Sequence, residues 1–199
     1  MERVKNIKVV PVVVINKLED TLPTLRAMCD GGLPIAEITF RTACAKEAIA
    51  LGVKECPDML IGAGTIINSD QAQEAVNAGA KFIVGPGYNT GVSAFCKENN
   101  IPYFPGCVTP MEIMMAIADG WTTIKFFPAN VYGGLTAMKA LAGPFPQIKF
   151  IPTGGVDANN LTEYLAWDKI EAVGGSWMMK GDYASITEKC KQVIALVSK

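Results

Sequence analysis

Short runs of β-branched and aromatic residues alternate along this chain with longer stretches that carry apolar residues at helical spacing. The runs predict strands at 9–15, 35–40, 59–65, 81–85, 102–106, 123–127, 149–153 and 170–175. Between them lie segments rich in helix formers, such as Asp70-Gln71-Ala72-Gln73-Glu74-Ala75-Val76-Asn77-Ala78. Several of these end in Gly or Asn, at Gly31-Gly32, Gly79, Asn99-Asn100, Gly120 and Gly143, residues that accept the left-handed backbone closing a helix. Pro86, Pro105 and Pro128 stand at strand ends, where a chain leaves a sheet. About eight strand–helix units at roughly 25 residues each is the arithmetic of an α/β chain folded as a single (β/α)8 (TIM) barrel over 1–199. The alternative is a doubly wound open sheet. No Gly-x-Gly-x-x-Gly fingerprint follows the first strand, and eight units without a composition break favour closure.

Strand side chains alternate between faces, so a closed barrel divides each strand into inward and outward sets. In 123–127 the apolar Ile124 and Phe126 suit the helix-covered outside, which turns Thr123, Lys125 and Phe127 inward. The same parity places Ile35, Glu37 and Thr39 inward, with Arg41 on that side just past the strand. In 59–65 it assigns Ile61, Ala63 and Thr65 to the interior. Polar groups from different strands then converge on the C-terminal rim, where barrel active sites lie. Lys8, Lys81 and Lys149 begin their strands and belong to the opposite rim.

Lys125, within Thr123-Ile124-Lys125-Phe126-Phe127-Pro128, has no counter-charge beside it in sequence. Two readings apply. The side chain can lay its stem on apolar surface and extend its head to water. Alternatively, low-dielectric surroundings disfavour the ammonium form, and the neutral amine can condense with a ketone to a Schiff base.

Composition narrows the chemistry. The 199 residues are 50% hydrophobic and 19% charged, enough to bury one core and too apolar for disorder. The net charge of -1, without a long basic run, offers nothing to a nucleic-acid backbone. The run at 9–15 is too short to span a bilayer. It leads into Asn16-Lys17-Leu18-Glu19-Asp20 without a small-residue cleavage site, and reads as the first strand of a cytoplasmic protein. The six cysteines form no Cys-x-x-Cys pair and read as reduced core residues. Histidine is absent, which excludes Ser-His-Asp and Cys-His nucleophile systems and His-based metal sites. Lys, Glu, Arg and backbone amides are left to carry any catalysis.

Six segments occur in order: Glu37-Ile38-Thr39-Phe40-Arg41-Thr42, Gly62-Ala63-Gly64-Thr65, Lys125-Phe126-Phe127-Pro128-Ala129, Gly143-Pro144-Phe145-Pro146, Pro152-Thr153-Gly154-Gly155 and Gly174-Gly175-Ser176-Trp177. Together they resemble the 2-keto-3-deoxy-6-phosphogluconate (KDPG) and 4-hydroxy-2-oxoglutarate (KHG) aldolase family, over nearly the whole chain. The resemblance implies a class I aldolase, independent of metal and of any cofactor, that reversibly cleaves KDPG to pyruvate and glyceraldehyde 3-phosphate. It extends to 4-hydroxy-2-oxoglutarate, giving pyruvate and glyoxylate. It implies Lys125 as the Schiff-base residue and Glu37 as general acid/base. Arg41 offers a planar fork to the substrate carboxylate, and Thr65 a hydroxyl. Phosphate falls to Gly154, Gly155, Gly175 and Ser176, after the seventh and eighth strands. Pro86, Phe127 and Thr153 wall the pocket. The small-molecule partners are the keto acid and pyruvate, and the implied assembly is a homotrimer.

This chain departs from the family at three places, one of them an N-terminus that starts close to the first strand where relatives carry a leading helix. Met178-Met179-Lys180-Gly181-Asp182 replaces a longer loop before the last helix, and Lys180 reads either as a phosphate contact or as a solvated surface lysine. Gly85 stands before Pro86 where serine is frequent. Readings that stay open are a family member acting on 2-keto-3-deoxy-6-phosphogalactonate, a phosphosugar isomerase or epimerase, and a non-catalytic phospho-ligand-binding barrel.

Overall fold

Parallel strands alternating with helices fill the computed structural model, which describes residues 7–198. Each strand is followed by its helix: β1 (Val9–Val13) and α1 (Thr21–Asp30), β2 (Ile35–Thr39) and α2 (Ala45–Glu55), β3 (Leu60–Gly64) and α3 (Ser69–Asn77), β4 (Ile83–Val84) and α4 (Thr90–Glu98). Then come β5 (Tyr103–Phe104) and α5 (Pro110–Ala118), β6 (Thr123–Phe126) and α6 (Gly134–Ala142), β7 (Lys149–Pro152) and α7 (Leu161–Leu165), β8 (Val173–Gly175) and α8 (Tyr183–Val197). Helix starts follow from capping residues. Thr109 and Glu112 form a reciprocal capping box around Pro110, and Asn68, Asn89 and Asp182 each accept an amide of the first turn.

Ladder bonds run in the order β5-β4-β3-β2-β1-β8, with β6 paired to β7. Isolated bridges join the two sheets into a closed ring: Gly106 with Lys125 between β5 and β6, and Phe150 with Ile170 and Thr153 with Gly174 between β7 and β8. Across that last seam, the four residues 150–153 oppose the five residues 170–174. The extra residue is a bulge, and it is why the run expected at 170–175 is regular only from Val173. The expected strands at 81–85 and 102–106 shorten to two residues each, ahead of Gly85-Pro86 and Pro105. All five residues of β1 and of β2 are buried, as strands covered on both faces require.

The parity expected for β6 holds. Phe126 stacks edge-on with Phe150, which in turn stacks on Trp167, so this face meets the helices. Lys125 occupies the other face. The parity expected for β3 is reversed. Glu37 pairs in register with Gly62, and Thr39 with Gly64, so the glycines face inward. A Cβ on Gly52 of α2 would lie 2.7 Å from Ile61 Cδ1, which puts Ile61, and with it Ala63, on the helix side. Bulk from the next strands fills the interior instead: a Cβ on Gly62 would lie 2.4 Å from the Phe82 ring, which packs edge-on with Phe104. At the N-terminal rim Lys149 pairs with the buried Glu171 at 3.0 Å, as expected of a lysine at a strand start.

Candidate active site

Lys125 is 5% exposed and Glu37 2%, and the lysine Nζ lies 3.2 Å from Glu37 Oε1. The pair spans the barrel from β6 to β2, and it replaces the isolated lysine that sequence proximity suggests. Glu37 reaches over β3: a Cβ on Gly64 would fall 2.1 Å from Glu37 Oε1. Gly64 therefore supplies the space in which the carboxylate sits, a role that its position in Gly62-Ala63-Gly64-Thr65 does not reveal without the register. On the open side, the Phe127 ring lies 5.3 Å from Lys125 Nζ and covers it as a half-exposed wall.

Arg41 leaves the end of β2 and donates through Nε to Thr65 Oγ1 at 2.9 Å. Its terminal guanidinium nitrogens make no hydrogen bond or ion pair among the described residues and remain available for an anion. Thr65 reaches this spot by leaving β3 with φ 59°, not by strand parity. Such a backbone is costly for a β-branched residue and concentrates at functional sites.

A cleft of about 430 Å3 opens at the C-terminal mouth. Arg41, Lys125, Phe127 and Thr153 line one end, and Gly154, Gly155, Ser176 and Lys180 the other. Gly154 and Gly155 have successive positive φ of 93° and 72°, which turns their amides to one side as an anion-binding concavity. The N–H groups of Gly155 and Val156 donate to no protein acceptor among the described residues. Gly175 also lines the cleft, and a Cβ there would lie 2.1 Å from the Trp177 ring, so its small size is already required by packing. Pro86 is exposed above β4 and is not part of this lining. The residues that sequence reasoning left out of the cleft are Val12, Val156, Asp157 and Trp177.

A second cleft, about 490 Å3, lies at the N-terminal ends of β5 and β6 among Cys96, Lys97, Tyr103, Asp119 and Trp121, and holds no lysine–carboxylate pair inside the barrel. Among the described residues no group of three or more His, Cys, Asp or Glu side chains is disposed to hold a metal ion. No helix of the described residues is long and apolar enough to cross a membrane.

A buried lysine touching a buried carboxylate, with an arginine fork and an amide concavity at the two ends of one cleft, can bind a dianionic keto acid and form an imine with it. A model of the family described as KDPG and KHG aldolase matches residues 1–195. The chain belongs to the KDPG/KHG aldolase family. It is a carbon–carbon lyase of class I, whose family reaction is the cleavage of KDPG to pyruvate and glyceraldehyde 3-phosphate. The 2-dehydro-3-deoxy-phosphogluconate aldolase of Treponema pallidum is 43% identical over 202 residues, 98% of this chain and 96% of that protein. The KHG/KDPG aldolase of Escherichia coli K12 is 40% identical, over 94% of this chain and 90% of its own length. Among solved structures, the KDPG aldolase of Legionella pneumophila, with pyruvate captured as a covalent carbinolamine, superposes with a TM-score of 0.91 at 38% identity and covers 96% of this chain and 97% of its own. That of Zymomonas mobilis ZM4 with 3-phosphoglycerate gives 0.93 at 37% identity, over 98% and 95%.

Within this aldolase the departure at Gly85 has a local cause. A Cβ there would lie 2.7 Å from the Gly87 carbonyl and 2.9 Å from the Tyr103 hydroxyl, which itself donates to Gly87 O at 3.2 Å. The tyrosine hydroxyl thus occupies the space beside Gly85 that a serine side chain would need.

Proposed function

We propose that Lys125 is the Schiff-base lysine of this aldolase and Glu37 its proton-transfer group. The observation that carries this is the 3.2 Å contact of their buried side chains at the mouth of the barrel. The neutral amine attacks the C2 ketone to give a carbinolamine, and Glu37 delivers the proton with which water departs. In the iminium that results, the electrons of the breaking C3–C4 bond flow to nitrogen. The proton of the C4 hydroxyl passes to Glu37, glyceraldehyde 3-phosphate leaves, and an enamine remains. Protonation at C3 and attack by water on the regenerated iminium release pyruvate and the free lysine.

In this reading Arg41 and Thr65 hold the C1 carboxylate, and their mutual hydrogen bond fixes the guanidinium plane toward it. Gly154, Gly155, Gly175 and Ser176 form the phosphate end, supported by the unpartnered amide of Gly155 and the successive positive φ of Gly154 and Gly155. Thr153 and Phe127 wall the pyruvyl portion, with Pro86 above it outside the cleft lining. The unphosphorylated 4-hydroxy-2-oxoglutarate fits the same machinery, since Lys125, Glu37 and Arg41 act on atoms the two substrates share. The six free cysteines fit a cytoplasmic enzyme. Exposed Met111 and Met114 on α5, with Val131 and Tyr132 after β6, supply apolar surface for a homotrimer.

Borohydride reduction in the presence of pyruvate tests the assignment. The expected result is one stable adduct, on the peptide containing Lys125, absent in Lys125→Ala together with cleavage activity. An adduct on another lysine, or wild-type turnover by Lys125→Ala, overturns it. No adduct at all favours a non-catalytic phospho-ligand-binding barrel.

A further inference from the structure

The phosphate end of the cleft contains a cation that the proposed chemistry does not use. Lys180 lines the same cleft as Lys125, Gly154, Gly155 and Ser176. Its ammonium enters no ion pair or hydrogen bond among the described residues. Other lysines of this region are engaged: Lys191 pairs with Glu188, and Lys189 donates to the carbonyl of Lys180 itself. That donation also holds the Lys180 backbone in place. On one side of it the fully buried Met178 anchors the 3-10 turn Trp177–Met179, and on the other Gly181, at φ 101°, turns the chain directly into the Asp182 cap of α8. The short Met178–Asp182 connection therefore fixes the origin of the Lys180 side chain beside the amide concavity, leaving only its own rotamers free.

Charge balance along the cleft gives that position a purpose. Arg41 serves one pole, where the amine and Glu37 also lie. At the other pole the charged side chain of the loop after β7 is Asp157, whose Oδ1 accepts the Asn159 amide at 2.8 Å and whose negative charge still repels a phosphate. Backbone amides alone must overcome this repulsion unless a cation joins them. We infer that Lys180 pairs with the substrate phosphate and sets the preference of this enzyme for phosphorylated over unphosphorylated 2-keto acids. The inference rests on the aldolase reading of the same cleft and adds to it a residue that reads the distal group, which the shortened loop brings into reach.

Steady-state kinetics on KDPG and on 4-hydroxy-2-oxoglutarate test it, using wild type, Lys180→Gln, Lys180→Arg and the remote surface control Lys46→Gln. Lys180→Gln is expected to raise KM for KDPG about tenfold with kcat little changed, the loss of one charge-assisted contact at an exposed position. It leaves kcat/KM for 4-hydroxy-2-oxoglutarate within about twofold of wild type, because that substrate has no phosphate. Lys180→Arg restores the KDPG value, Lys46→Gln leaves both unchanged, and competitive inhibition by inorganic phosphate weakens in Lys180→Gln alone. Equal losses on both substrates, or no loss on either, overturn the inference while leaving the Schiff-base assignment intact. A wild-type protein without pyruvate adduct or cleavage activity removes the aldolase reading itself.

Discussion

Gly64→Ala isolates the geometry on which the proposed proton transfers depend. Gly64 has no positive φ, so alanine is permitted by the backbone, and its single added carbon would point at the Glu37 carboxylate. That carbon would lie 2.1 Å from Glu37 Oε1, 2.6 Å from its Cδ and 2.5 Å from its Cγ. A tolerable carbon–oxygen contact is about 3.3 Å, so the carboxylate must retreat by about 1.2 Å. With Glu37 2% exposed and hemmed by packed side chains, the displacement is taken up at the contact with Lys125, now 3.2 Å. A misplacement of about 1 Å in a reacting constellation lowers the rate about 100-fold, or about 2.7 kcal/mol in activation free energy. The assay is single-turnover cleavage of KDPG beside borohydride trapping with pyruvate, with the far-ultraviolet spectrum and melting temperature as controls for folding. The expected outcome is a folded enzyme that still traps pyruvate slowly on Lys125 while kcat falls about 100-fold. A folded Gly64→Ala with wild-type kcat would show that the carboxylate does not act from the position seen here.

Two further predictions concern groups away from the chemistry. Burial pushes the thiols of Cys96 and Cys107 up to about 12 and that of Cys190 to about 11, so native protein at pH 8 should leave these three unlabelled by a thiol reagent, with labelling only on unfolding; fast native labelling of Cys96, counted by peptide mass, would contradict the burial. Asp119 caps α5, accepts hydrogen bonds from Ser93 at 2.5 Å and from Tyr88, and lies 3.7 Å from Lys97, so its carboxyl is held below the usual range, the Ser93 bond being the largest cause. A depressed carboxyl contributes stability that is present above its unfolded value, about 3.9, and is lost as pH falls through the folded value. Asp119→Asn should therefore lower the melting temperature at pH 7 and converge on wild type under acid conditions; a gap that widens on acidification would reverse the assignment.

Much of this architecture is a property of the one-dimensional pattern. Alternating apolar runs and helix-forming stretches dictate the strand–helix repeat, and an outward apolar Ile124 and Phe126 dictate an inward Lys125. The absence of histidine leaves lysine, glutamate and arginine to carry the chemistry. Register is different, because it depends on which strand lies beside which. Counting from apolar residues assigned Ile61 and Ala63 to the interior, yet pairing with β2 turns Gly62 and Gly64 inward, so that Phe82 fills the barrel and Glu37 finds room. Thr65 joins Arg41 only because its backbone breaks the alternation. The bulge at 170–174 and the seam bridges likewise arise from closing a ring whose strands must meet at both edges. Local composition thus decides what each segment becomes. Distances between groups far apart in the chain, 88 positions for Lys125 and Glu37, are decided by packing alone.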